Sequence, residues 1–234
     1  FVLGLEDSPL PAGEREPEGP SAVAELHAAL FKTRPPCSAR FGWEDEWIAS
    51  RLAARTDEYA AALGAYRFDD AARTVYDFFW HEFCDWYLEF AKPAVREGGP
   101  RKTGAVLTAR AVLGMSMVLL HPIMPFISEQ IWNMLAPGGG LLAACRFDAL
   151  PAAPHRTELE VNVARVQQIV AQIRNLRQNF NVPQLTSVAV VISCARGAEL
   201  PRRLRPFTEQ IAHLARVGQL VIEDEAEKPA GSAA

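Results

Sequence analysis

The chain predicts a mainly α-helical protein, an antiparallel helical bundle followed by a small α/β (βαβ) appendage. Two patterns carry this expectation. From Glu44 to Phe180 the apolar residues recur at steps of three and four, the period of an amphipathic helix; after Pro183 the period falls to two or to short apolar runs, the pattern of strands. Composition sets the class: 234 residues, 49% apolar and 22% charged, form an ordinary globular chain long enough to bury its own core.

Residues 1–43 read as an acidic, proline-rich leader or insertion. Glu6 to Pro20 holds four prolines, two glycines and five acidic residues, with almost nothing to bury, and only Ser21 to Lys32 suggests a short helix before Arg34-Pro35-Pro36 stops it. The bundle is expected over 44–150. Its first helix carries Ile48, Leu52, Tyr59, Leu63 and Tyr66 on one face, with Trp47, Arg51 and Arg55 on a neighbouring one. A second starts near Asp69 as N-cap and runs to Lys92-Pro93, with Ala72, Tyr76, Phe79, Phe83, Trp86 and Phe90 inward and Asp77, His81, Asp85 and Glu89 as its polar back. After Gly98-Gly99-Pro100, a third spans Thr103 to Leu120 with Val106, Ala109, Leu113, Met117 and Leu120 facing the core. Pro125 opens a fourth through Ile127, Ile131 and Leu135, which Pro137 to Gly140 ends. Short links between four amphipathic helices make them antiparallel neighbours.

Arg146 to Arg156, with two prolines, reads as a linker, and 151–223 as a long helix plus a small α/β subdomain. The long helix has a capping box, Thr157 with Glu160, and buries Leu159, Val163, Val166, Val170, Ile173, Leu176 and Phe180. A strand over Thr186–Ser193, a helix over Pro206–Ala215 and a strand over Gln219–Glu223 then form a parallel βαβ unit. Residues 224–234 are a polar tail.

Several function classes drop out. Ala111 to Ser128, which no stretch without Lys, Arg, Asp or Glu exceeds in length, is interrupted by His121, Pro122 and Pro125 and falls short of the roughly 20 apolar residues that a membrane span needs. Cys37, Cys84, Cys145 and Cys194 lie far apart without zinc-ligand spacing and read as reduced, mostly buried thiols. No phosphate-binding loop, dinucleotide fingerprint, His-Glu-x-x-His or nucleophile elbow is present, and His81, Glu82 and Asp85 read as solvated surface rather than metal ligands. His121, between a helix end and a proline, reads as a packed turn residue rather than a base. The formal charge is −4, yet 101–216 carries +7 and the remainder −11, a segregation that suits an anionic partner as well as it suits an uneven solvated surface. Trp47 with Arg51 and Arg55, and Arg174 with Arg177, are consistent with stacking and phosphate contacts to unpaired RNA, but the residues alone favour a ring closing the end of a bundle and solvated arginines.

Three strings in order and spacing decide between these. Val75-Tyr76-Asp77-Phe78-Phe79-Trp80-His81-Glu82-Phe83-Cys84-Asp85-Trp86-Tyr87-Leu88-Glu89, followed by Lys92-Pro93, resembles the signature helix of the anticodon-binding domain of valyl-tRNA synthetases. His121-Pro122-Ile123-Met124-Pro125-Phe126-Ile127-Ser128-Glu129-Gln130-Ile131-Trp132 is similar to the turn that opens the family's fourth helix. Ile173-Arg174-Asn175-Leu176-Arg177 through Asn181-Val182-Pro183 is the third match. Isoleucyl and leucyl enzymes share the bundle, whereas Phe-Cys-Asp-Trp-Tyr-Leu-Glu is similar to the valyl branch.

The resemblance implies the anticodon-recognition part of a cytoplasmic, monomeric valine-tRNA ligase, whose parent uses ATP with Mg²⁺ to pass valine to its tRNA. His-x-Gly-His and Lys-Met-Ser-Lys-Ser are absent from the 234 residues, so the catalytic and editing domains are expected upstream of Phe1 and no cofactor or metal is expected in this part. The implied partner is tRNA(Val), mainly its anticodon stem-loop, with no membrane. The implied contacts are Trp47 as a stacking platform, Arg51 and Arg110 as cationic neighbours and Leu113 as an apolar wall. Arg174 and Arg177 are assigned to the tRNA backbone or to domain packing. The rival readings are a free-standing RNA-binding or assembly module, the same domain of an isoleucyl or leucyl enzyme, and a purely structural bundle.

Overall fold

Helix α1 (Trp43–Gly64) begins with Glu44, Asp45 and Glu46 in its first turn, where acids suit the exposed N–H groups of a helix start. It buries Ile48, Leu52 and Tyr59 as the periodicity requires. The computed structural model describes residues 26–28, 38–145, 153–183, 186–194 and 200–224. The linker over 146–152, the end of the tail and nearly all of the leader lie outside the described residues, and of the expected leader helix only 26–28 are described, as helical. The described residues fall into two units, divided at Arg156/Thr157. That division lies beyond residue 150 because the last residues before it are tied to α1: His155 Nε2 is 3.3 Å from Asp57, and the Arg156 N–H donates to Ser50 Oγ at 2.7 Å.

In the first unit, α1 ends before Tyr66, which adopts a left-handed backbone (φ 58°) and is 81% exposed, so it leaves the expected core. Helices α2 (Phe68–Asp77) and α3 (Leu88–Glu97) are joined without a break by a π-helix (Phe78–Tyr87). This corrects the expected register. The buried side chains are Ala71, Val75, Phe78, Phe83, Tyr87, Phe90, Ala91 and Ala94, with a step of five between Phe78 and Phe83. An uninterrupted α-helix, turning about 100° per residue, would carry the second group roughly 140° away from the first. The wider i→i+5 turns absorb most of that angle and keep both groups on one core. Tyr76 is consequently 58% exposed, and Phe79 and Trp86 are half-buried rather than central. Asp69 is not the N-cap, since the cap is Arg67, two residues earlier, and Pro93 lies inside α3 instead of ending it.

Helix α4 (Gly99–Leu120) packs against α1, α2, α3 and the following helix. It is long and apolar enough to cross a membrane by length and composition alone, but 72% of its most apolar window is buried inside the protein. Contact on several sides explains why the single face expected for it is incomplete. Ala109 and Met117 are buried, Val106, Leu113 and Leu120 are only half-buried, and Leu107, Val112 and Leu119 are core residues. Gly104 permits the closest approach: a Cβ there would lie 2.0 Å from the carbonyl oxygen of Arg40, whose N–H donates to Pro100 O at 3.0 Å. Helix α5 (Pro125–Leu135) buries Ser128, Trp132 and Leu135, whereas Ile127 is 46% exposed. A 3₁₀ turn (Leu142–Ala144) follows, fixed by the Glu129 carboxylate, which accepts the Leu142 N–H at 3.0 Å, and by Trp132 Nε1–H donating to Gly140 O at 3.1 Å. Cys84 and Cys145 are free thiols, half-buried rather than fully buried.

In the second unit, α6 (Thr157–Asn179) buries Val163, Val166, Val170 and Ile173; Leu176 and Phe180 are exposed. Strands β1 (Val188–Cys194) and β2 (Val217–Asp224) pair in parallel, with Val190 opposite Leu220 and Ile192 opposite Ile222. Parallel pairing demands a crossover. Its described part comprises α7 (Leu200–Leu204), a 3₁₀ turn (Arg205–Phe207) and α8 (Thr208–Ala215). Phe207, Ile211 and Leu214 are buried, and α8 packs on both α6 and β2. The mainly helical class with a small parallel βαβ appendage is therefore observed.

Candidate nucleic-acid interface

The start of α1 is anchored by a buried polar cluster. Asp45 accepts the Gly42 N–H at 2.8 Å and the Tyr87 hydroxyl at 2.8 Å; Glu44 pairs with Arg101, whose guanidinium also lies 3.7 Å from Asp45. Both acids are at most 1% exposed, and Tyr87 is fully buried. Burial pushes both carboxyls up from the usual range, aided for Glu44 by the neighbouring Asp45 and opposed in both by Arg101. Burial, then the charge of Asp45, pushes the Tyr87 phenol well above its ordinary value. These four residues were not read from the sequence as a group, because three elements bring them together.

Trp47 is 3% exposed and packs edge-on against Phe90, with ring centroids 5.7 Å apart. This corrects its assignment as a stacking platform, since a buried ring has no face to offer a base. The tryptophan that stays half-buried at this end of α1 is Trp43, edge-on to Phe90 at 5.1 Å. Arg51 points to the π-helix and grips Glu82 through two hydrogen bonds of 2.6 and 3.1 Å; Arg55 reaches the same carboxylate at 2.8 Å and Glu58 at 2.6 Å. Glu82 thus organises two guanidiniums. A carboxylate within an aromatic run, facing the stripe that holds Arg51 and Arg55, was the available signal for it.

Arg110 lies elsewhere. Its Nη2 donates to Leu135 O at 2.7 Å, at the end of α5 where carbonyls lack helical partners, and Leu113 is half-buried on the same helix as Arg110. These bonds run from Arg51 to the π-helix and from Arg110 to the end of α5. In the second unit, Arg174 donates twice to Leu214 O (3.3 and 3.1 Å), while Arg177 donates to Arg216 O at 3.2 Å, Pro183 O at 2.9 Å and Thr186 O at 2.8 Å. Both donate to backbone carbonyls around the end of α8.

Groups that suggest acid–base chemistry are otherwise engaged. Ser128 Oγ donates its one proton to Met124 O at 2.8 Å and so offers His121 Nδ1, 2.9 Å away, an acceptor rather than a nucleophile. His81 and Asp85 form an exposed pair at 3.3 Å. Among the described residues no group of three or more His, Cys, Asp or Glu is placed to hold a metal ion. What the arrangement offers is binding, through positioned guanidiniums beside aromatic surface.

Residues 45–192 match the protein family described as the anticodon-binding domain of tRNA ligase. Similar proteins include the valine–tRNA ligases of Gloeobacter violaceus, 38% identical over 87% of this chain and 22% of that protein, and of Geobacter sulfurreducens, 36% identical over 91% and 24%. The valine–tRNA ligase of Bradyrhizobium diazoefficiens is 32% identical over 88% of the chain and 25% of its own length. The chain spans about a fifth to a quarter of these curated relatives.

Proposed function

The chain belongs to the family of tRNA-ligase anticodon-binding domains and is related to valine-tRNA ligases, and on that footing we propose that it is the anticodon-recognition part of such a ligase, with the anticodon stem-loop of tRNA(Val) as its partner. The observation that carries this reading is the family match over 45–192, which begins at the anchored start of α1. In the parent, acting in the cytoplasm as a monomer, ATP with Mg²⁺ drives adenylation of valine. This part supplies selectivity and is inactive in adenylation alone, because it contains neither nucleotide-binding motif.

Arg51 and Arg55, prearranged by Glu82, meet the loop phosphates. Trp43 takes the stacking role that burial denies to Trp47, which instead fixes the helix beneath it. Arg110 and Leu113 supply a cation and an apolar wall on α4. Valine codons share G and U as their first two letters, so the central A and final C of the anticodon should dominate binding.

Fluorescence anisotropy with a valine anticodon stem-loop, at two salt concentrations, tests this. Cognate loops should bind more tightly than loops with A or C replaced. Arg51→Ala and Arg110→Ala should flatten the salt dependence, and Trp43→Ala should weaken cognate binding with the slope nearly unchanged. Equal affinity for cognate and replaced loops would overturn the reading.

A further inference from the structure

The π-helix turns one large aromatic out of the core. Its wide turns send Phe83 and Tyr87 inward, and Trp86, next to Tyr87 in the chain, is left half-buried. The indole rests against Phe90, with ring centroids 5.6 Å apart and planes tilted by 31°. Trp43 touches the same phenyl ring from the start of α1, at 5.1 Å. Phe90 itself is buried, so two half-buried indoles share one hidden ring, and their centroids are no farther apart than the sum of those two contacts.

The order of contacts places Trp86 within the row already described. Trp43, Trp47 and Arg51 follow one another at steps of four on α1 and meet Phe90 and Glu82 in reverse order, through Trp43–Phe90, Trp47–Phe90 and Arg51–Glu82. Trp86 stands four residues after Glu82 and four before Phe90, between the carboxylate that orients Arg51 and the ring that Trp43 touches. Aromatic surface alternating with a positioned cation is how proteins hold successive bases and the backbone of an unpaired strand. The acids along this stretch are engaged: Glu82 with Arg51 and Arg55, Glu89 with Lys92 at 2.5 Å, and Asp85 with His81 at 3.3 Å.

We propose that Trp86 is a second stacking ring of the anticodon site, holding one of the two invariant anticodon bases while Trp43 holds the other. The inference rests on the anticodon-recognition reading of this unit. Covering Phe90 asks only for an apolar side chain, whereas a base asks for a flat face of matching size, which the indole supplies at little cost in side-chain freedom.

Trp86→Leu and Trp86→Phe in the full chain separate the two roles, since both keep Phe90 covered and only the second keeps a ring. Fluorescence anisotropy is measured with the valine anticodon stem-loop and with loops carrying one abasic nucleotide at each anticodon position in turn. Trp86→Leu should bind the intact loop about 5- to 150-fold more weakly, with the salt slope unchanged, and Trp86→Phe should recover most of that loss. On the loop that lacks the base Trp86 holds, the central A or the final C, the leucine variant should match the wild type. A merely structural residue would lower affinity for every loop by the same factor. Circular dichroism melts check that the variants are folded at the assay temperature; if Trp86→Leu is not, the unbranched Trp86→Met carries the same expectation. Where the wild type prefers cognate loops but the leucine or methionine variant binds like the wild type, loses equally on every loop, or is matched at another nucleotide, the role of Trp86 is overturned and the anticodon reading stands. Where the wild type does not prefer cognate loops, both fall.

Discussion

Replacing either of two adjacent phenylalanines tests the π-helix, because the two possible registers rank them in opposite order. Phe78 is fully buried, so Phe78→Ala leaves a closed cavity and should cost about 3 to 5 kcal/mol. Phe79 is half-buried and lines an open cleft of about 270 Å³ with Val75, Tyr76 and Met117. Its truncation widens an opening that solvent fills and forfeits only part of the roughly 1.5 to 3 kcal/mol that full burial of such a side chain provides, so Phe79→Ala should cost about 1 to 2 kcal/mol. All five tryptophans (43, 47, 80, 86 and 132) lie in the first unit, so intrinsic fluorescence follows that unit's unfolding without signal from the second. At about 2 to 4 °C per kcal/mol for a unit of this size, a gap of about 1 to 4 kcal/mol should separate the two melting temperatures by roughly 2 to 16 °C. Had the aromatic stripe kept one α-helical period, Phe79 would be the core residue. A Phe79→Ala variant that loses as much stability as Phe78→Ala, or more, would refute the π-helix and the register built on it.

Three further outcomes are expected. Gly104→Ala should lower stability by more than about 3 kcal/mol in a fluorescence melt, because its methyl group would meet the Arg40 carbonyl at 2.0 Å and backbone, unlike a side-chain tip, yields at high cost. Glu44 and Asp45 have folded-state pKa values raised above their ordinary 4.5 and 3.8, so the folded state holds protons more tightly than the unfolded one, and their contribution to stability should fall as pH rises from that range toward the raised values. Asp45→Asn should flatten this fall when urea midpoints at pH 5 and pH 7 are compared; parallel profiles would count against the buried acid pair. Arg177→Lys should destabilise the second unit by about 1 to 2 kcal/mol in hydrogen exchange, since an ammonium cannot fork to Arg216 O, Pro183 O and Thr186 O together, and unchanged protection of α8 would remove this bracing role.

The readable part of the candidate site was the part that rests on residue type within one segment. Arg51 and Arg55 share a stripe because four residues make roughly one helical turn, and that spacing is local. Their partner is not local: Glu82 lies 31 residues from Arg51 and belongs to the segment whose turn geometry departs from the α-helix. Trp47 shares the stripe of Arg51 yet is buried where the arginine is partly open, because Phe90 covers the ring while the longer side chain reaches past the bundle to Glu82. Arg174 and Arg177 were visible as a pair, but the carbonyls they hold come from the crossover and the turn after α6.

By itself, the sequence determined the order and type of the elements. The spacing of apolar residues selects helix or strand, prolines and glycines punctuate them, and a crossover of this length makes the two strands parallel, all properties of short stretches of chain. Only the tertiary structure decided which face each helix turns inward. Periodicity supplies a relative phase, and an i→i+5 stretch shifts that phase within a helix without any residue that announces it, moving Tyr76 to the surface and Tyr87 to the core. It also decided that α4 is enclosed on several sides, which no single-face pattern expresses. The buried Glu44, Asp45, Arg101 and Tyr87 cluster depends on the same packing: charges this far from water persist only where elements distant in sequence close around them together.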